Sequence, residues 1–465
     1  MTQAKKIRDF TEGPILPMII GFALPLIATG ILQLLFNTAD IIVVGRWGGS
    51  TPEECETALA AVGSCGSLIN LLVNLFFGLS VGAGVCVAHD IGAKAYDQVE
   101  KTVHTAVLAS LVCSAFVMVF GIVAARPLLI LMGTEESVLG QAVPYMVAYF
   151  CGIPANMLYN YCASMLRSTG DTVRPLTFLS VAGVVNVVLN LIMVLVFRLG
   201  AVGVGIATAV SQWVSCALII GFMMRNEGPC HLDLRKLCID KNKLKKIVFI
   251  GIPAGLQGTL FSLSNVLIQS SINSFGKAVV AGNSAAGNLE GYAYTAQNAL
   301  YQTALTFVGQ HKGAEKYHRM KKCILWCAIS VLTVGLTIGW SMYLLGAPLL
   351  EIYAPGNGNA IEAGLLRMRV CMVTYFLCGL MEVGSGVMRG LGRSITSMIV
   401  SLIGSCVFRI LWIYTVFALF HTPAVLYLSY PISWGMTAAT HFIFSFFTLR
   451  KEERAVREAA AKAVT

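Results

Sequence analysis

The chain has 465 residues, of which 56% are hydrophobic and 12% charged, and its mean hydropathy is +0.74. A soluble chain carries about 25% charged residues, so this composition excludes a soluble enzyme or nucleic-acid binder. The net charge of +10 is therefore read as membrane topology. Twelve spans of about 25 residues would use roughly 300 residues and leave only short connections.

The expected elements, in chain order, are all helical. Apolar spans are placed at 14–45, 57–88, 101–124, 138–166, 174–197 and 200–224. A polar stretch follows, then spans at 244–275, 279–309, 321–345, 359–388, 394–419 and 424–448. Lys5, Lys6 and Arg8 lead into a first span too long for a cleavable signal core. The resulting organisation is an all-α polytopic membrane protein with twelve transmembrane helices in two pseudo-symmetric six-helix lobes. Residues 13–225 form the amino-terminal lobe, 226–243 an interlobe linker, 244–449 the carboxyl-terminal lobe and 450–465 a charged tail. The Ala-rich tail reads as a short amphipathic or frayed helix.

The two halves repeat each other. Gly92-Ala93-Lys94-Ala95-Tyr96 and Gly313-Ala314-Glu315-Lys316-Tyr317 are offset by 221 residues. Arg167-Ser168-Thr169-Gly170 and Arg389-Gly390-Leu391-Gly392 are offset by 222. Pro25 and Pro253 differ by 228, an offset that also aligns Asn37 with Asn265 and Gly48 with Gly276. Each proline removes a backbone hydrogen bond from the first helix of its half, where a kink is expected. A duplicated bundle of this kind suits alternating access.

Basic residues orient the chain. With an inside amino terminus, 26 of the 33 Lys and Arg fall in cytoplasmic segments. Four, Arg46, Arg126, Arg198 and Lys277, fall outside, and Arg367, Arg369 and Arg409 lie in or near spans. That bias puts both termini in the cytoplasm, with the protein in the cell (inner) membrane. The 14 cysteines lie mostly in apolar segments and read as small buried side chains. Cys230, His231 and Cys238 do not complete a four-ligand zinc set.

Acids inside hydrocarbon are costly and rarely kept without a partner. Asp40 lies in span 1, Glu290 in span 8 and Glu382 in span 10. Glu290 is about ten residues, roughly 15 Å, inside its span. Asn186 and Asn190 are one turn apart on span 5, Thr208 is on span 6, and Asn37 is one turn before Asp40. Their oxygens could converge with Asp40 on a small cation or proton, or simply bond helix to helix. Asp40 could equally be an interfacial acid. Glu290 lies near Tyr292, Tyr294, Gln297 and Asn298. With Glu382, this group suits an organic cation through charge and ring contacts. The plainer alternative is an internal ion pair between Glu290 and Arg409.

On these segments the chain resembles the multidrug and toxic compound extrusion (MATE) family of antiporters. Asn37-Thr38-Ala39-Asp40 through Gly45 looks like that family's first helix and its acid. Thr306-Phe307-Val308-Gly309-Gln310-His311-Lys312-Gly313-Ala314 looks like the exit of the eighth helix, and Met388-Arg389-Gly390-Leu391-Gly392 like the end of the tenth. The resemblance implies two six-helix lobes in a V, export driven by H⁺ or Na⁺ entry, and a cation site containing Asp40, Asn186, Asn190 and Thr208. This chain has Asn190 where many members carry an acid, and it lacks the seventh-helix acid of some.

The expected function is thus a cation-coupled multidrug efflux antiporter for organic, mostly cationic, compounds. It would need no cofactor beyond the coupling ion, bind no nucleic acid, contact membrane lipid and act as a monomer. The alternative within the same superfamily is a flippase for lipid-linked or polysaccharide precursors, which would want more basic residues in the cleft. A membrane enzyme is disfavoured because the histidines are dispersed and no triad or metal set is apparent.

Overall fold

The structure is a computed structural model that describes residues 9–464. Lys5, Lys6 and Arg8, which enter the charge bias, and Thr465 at the end of the tail lie outside the described residues. Fifteen helices account for most of the described chain: α1 Ile15–Trp47, α2 Pro52–Gly92, α3 Tyr96–Leu131, α4 Glu136–Ser168, α5 Val173–Leu191, α6 Gly200–Arg225, α7 Lys241–Asn273 and α8 Lys277–Gly313. They continue as α9 Tyr317–Leu344, α10 Gly346–Tyr353, α11 Gly358–Cys371, α12 Tyr375–Gly390, α13 Ser394–Ser401, α14 Phe408–Trp412 and α15 Pro423–Val464. Among the described residues, nine helical segments are long and apolar enough to cross a membrane.

Four expected spans are modified. The fifth closes in a π-helical turn at Ile192–Val196 after α5. The tenth is broken at residues 372–374 into α11 and α12, which meet at 49°. The eleventh runs through α13 and α14 with π-helical turns at Leu402–Val407 and Ile413–Phe417. Such turns widen the coil by a residue and turn the following side chains to new directions. The twelfth does not end near residue 448, because α15 carries on through the tail. The tail helix is held by charge: Lys312 Nζ lies 3.0 Å from Glu452 Oε1, and Arg457 Nη2 lies 2.9 Å from Glu453 Oε1.

The chain divides into two compact units that do not follow the sequence halves at two places. One unit contains Ala28–Gly255, and the other contains Phe10–Ile27 with Leu256–Thr465. The start of α1 joins the second unit because its apolar face packs there. Phe22 and Leu26, with Phe10 just before the helix, share a buried core with Leu300, Phe307, Val383 and Val387. Phe10 stacks on Phe307 with ring centroids 4.1 Å apart. The start of α7 joins the first unit because glycines let backbones meet. Gly78 of α2 lies so close to Gly251 and Gly255 of α7 that no Cβ fits between them. In both helices the chain changes unit two residues after the proline, Pro25 in α1 and Pro253 in α7.

Candidate functional site

In the first unit, Asp40 sits near the end of α1 and meets α5. Asn190 Nδ2 donates to Asp40 Oδ1. The same amide donates to Asn186 Oδ1 at 3.2 Å, and Asn186 Nδ2 donates to Thr208 Oγ1 at 3.4 Å. The sequence builds this row simply: Asn186 and Asn190 are one turn apart on α5, and Thr208 is on the adjoining α6. Asn186 and Asn190 are buried, and Thr208 also faces the Asp40 carboxylate. Asn190 Oδ1 is buried with no hydrogen-bond partner among the described residues. No Lys or Arg among the described residues forms an ion pair with Asp40. Asn37 is exposed and makes no hydrogen bond to Asp40. The arrangement is a carboxylate surrounded by neutral oxygen and amide groups, with its charge left uncompensated.

The second unit treats its acids differently. Arg367 of α11 clamps Glu290 of α8 through two bonds, Nε to Oε1 and Nη2 to Oε2, each 2.7 Å. Arg367 Nη1 also donates to Asn283 Oδ1. Asn283 lies two turns before Glu290 on α8, so one guanidinium reaches both. The ion pair considered from depth, Glu290 with Arg409, is not formed: Arg367 occupies both carboxylate oxygens. Arg367, one of the three bases in or near spans, is the partner instead. The seven-residue spacing of Asn283 and Glu290 puts both on one helix face but does not select among the arginines.

Glu382 of α12 lies by Tyr294 of α8 and makes no ion pair or hydrogen bond among the described residues. Tyr294 lies by Asn298, whose Oδ1 accepts from Gln302 Nε2 at 2.8 Å. Arg389 lies two turns after Glu382, donating to the Tyr301 hydroxyl and, at 2.9 Å, to Gln257 Oε1. The expected aromatic group is thus dispersed. Glu382, Tyr294 and Asn298 come together, whereas Tyr292 lies by Tyr353. Gln297 is 0% exposed and donates to the Tyr375 carbonyl at 2.9 Å. Away from these acids, His231 turns Nδ1 to the Asn226 carbonyl at 3.0 Å, while Cys230 is buried and Cys238 exposed.

Two blocks of the chain, residues 25–192 and 253–415, match the family model MatE. The chain belongs to the MatE family. The two blocks begin at Pro25 and Pro253, so the model matches the duplicated frame once in each half. This MatE chain is 26% identical over 398 residues to the probable multidrug resistance protein YoeA of Bacillus subtilis, covering 82% of each. It is 23% identical over 400 residues to a FAD transporter of Shewanella oneidensis, covering 84% of this chain and 86% of that relative. Its fold matches that of an outward-facing multidrug resistance MATE family transporter of the MOP superfamily with a TM-score of 0.88. The identity there is 20%, over 97% of this chain and 99% of the other. Members of this family are multi-pass membrane transporters, and the chain's twelve-helix frame is that of the family.

Proposed function

We propose that this chain is a cation-coupled efflux antiporter that exports small organic, mostly cationic, compounds by alternating access. H⁺ or Na⁺ would enter at Asp40, with Asn186, Asn190 and Thr208 supplying polar atoms and Asn37 flanking the entrance. The protein would act as a monomer in the cell membrane with both termini in the cytoplasm. The observation that carries the reading is an acid within a membrane helix whose hydrogen bonds come only from neutral groups. Leaving such a charge uncompensated is costly, so a proton or an oxygen-preferring cation gains free energy by binding there. The orphaned Asn190 oxygen is one more donor for a hard cation.

The same logic selects among the carboxyl-terminal acids. Both oxygens of Glu290 are satisfied by Arg367, so its proposed role toward substrate is indirect, through the shape of α8. Glu382 keeps its carboxylate free, beside a tyrosine and an amide, and is proposed to meet the cationic centre of the exported compound. Each ion biases the arrangement it binds better, which couples entry of one to exit of the other. The test is ethidium efflux from proteoliposomes under an imposed Na⁺ gradient, then under an imposed proton gradient. Efflux that follows one gradient supports the reading and names the ion. Dye movement indifferent to both would sink it.

A further inference from the structure

Three arginines are buried inside the second unit: Arg367, Arg389 and Arg409 are 8%, 7% and 3% exposed. Glu290 cancels the first at 2.7 Å, and Glu382 faces the second at longer range. Arg409 forms no ion pair among the described residues. Its Nε donates to Ser433 Oγ at 2.9 Å, while Nη2 is buried with no acceptor. The guanidinium carbon lies 4.4 Å from the ring centre of Tyr430 and 5.9 Å from that of Trp434. Trp434 in turn meets Tyr375 edge-on at 5.5 Å.

A guanidinium this deep needs an explanation. Arg409 is eight residues before the end of its span at Phe417, roughly 12 Å inside it. The aromatic faces offset part of the cost of burial, but they leave the full positive charge and one N–H pair unanswered. Arg409 also stands on the short α14 between two π-helical turns, a local irregularity more common at functional sites than in plain packing helices. Charged side chains at such positions line ligand paths or meet a counter-charge. Among the described residues none pairs with Arg409.

We propose that Arg409 receives the carboxylate of an aromatic compound carried by the transporter, with Tyr430, Trp434 and Tyr375 as its apolar surround. The inference rests on the export reading and narrows it: the compounds that bind best carry an anionic group as well as a cationic centre. A planar guanidinium with a free edge presents paired donors that match a carboxylate. A lipid phosphate would offer similar chemistry, and the experiment separates the two.

The full chain in phosphatidylcholine nanodiscs is titrated with rhodamine 110, a carboxylic acid, and with its methyl ester, rhodamine 123, by fluorescence anisotropy. Arg409→Gln is expected to weaken the acid about 10- to 100-fold, as for loss of charged hydrogen bonds, and the ester less than about threefold. Arg409→Lys, which keeps the charge without the fork, falls between. Equal losses for acid and ester, an unchanged affinity for the acid, or no binding of the acid by the unaltered chain would overturn the proposal. Should Arg409→Gln fail to fold, sodium benzoate on the unaltered chain decides. It should displace the acid selectively, and equal displacement or none counts against the site. If phosphatidic acid in the disc displaces the acid dye where benzoate does not, Arg409 holds a lipid phosphate and the proposal falls. Gradient-driven efflux of the ester by the Arg409→Gln variant would leave the export reading standing whatever the binding result. No driven efflux of either dye by the unaltered chain would instead remove the export reading itself.

Discussion

Asp40 and Glu290 are both acids in apolar helices, yet they live in opposite surroundings. Asp40 is bonded by an asparagine amide and forms no ion pair among the described residues, whereas Glu290 has each oxygen in the fork of Arg367. The side chains of that pair are only 10% and 12% exposed. A buried bidentate pair is expensive to open and is not free to trade partners. A lone acid among amides can gain and lose a cation repeatedly. The contrast teaches that an intramembrane carboxylate is assigned its work by its counter-charge, not by depth.

Breaking the clamp should have the largest effect. Glu290→Gln strands the Arg367 charge and is expected to destabilise the protein by about 3–5 kcal/mol, read as a fall in thermal unfolding temperature. Adding Arg367→Met should recover most of that loss. Transport of cationic and neutral dyes should fall together, and a loss confined to cations would return Glu290 to the substrate. The opposite arm of the contrast comes next. Asp40→Asn should reduce gradient-coupled efflux about 100-fold, the upper range of an allosteric coupling energy, with thermal unfolding little changed. Efflux in proteoliposomes that still follows the gradient would end the proposed role of Asp40. Glu382→Gln should weaken ethidium binding about tenfold, the worth of one charge contact, and leave an uncharged dye bound as before. Matching losses for both dyes would make Glu382 structural too. The smallest change is a control that touches no acid of the contrast. Thr51 accepts from the Glu54 N–H at 3.2 Å at the start of α2, and Thr51→Ala should cost about 1 kcal/mol of stability without altering coupling.

What could be read beforehand was local. Asn186 and Asn190 had to share a face because they are one turn apart, and Asp40 was conspicuous because acids in hydrocarbon are rare. The repeated prolines marked the places beside which the chain changes unit. The pairing of Glu290 with Arg367 was not readable, since 77 residues separate them and several arginines had comparable depth. Nor was the scattering of the tyrosines. Tyr292 and Tyr294 are neighbours in sequence, but adjacent helix positions point about 100° apart, so one meets Tyr353 and the other Glu382. The break at residues 372–374 and the π-helical turns around α14 carry no proline to announce them.

The sequence by itself determined the medium, the doubled helical frame and the short list of charges that must find partners, because transfer free energy and helix periodicity act residue by residue. Which base answers which acid, and that Arg409 is answered by none among the described residues, was decided only by tertiary structure. Those pairings depend on how helices cross and rotate against one another, and a one-residue change in rotation is enough to exchange the partner.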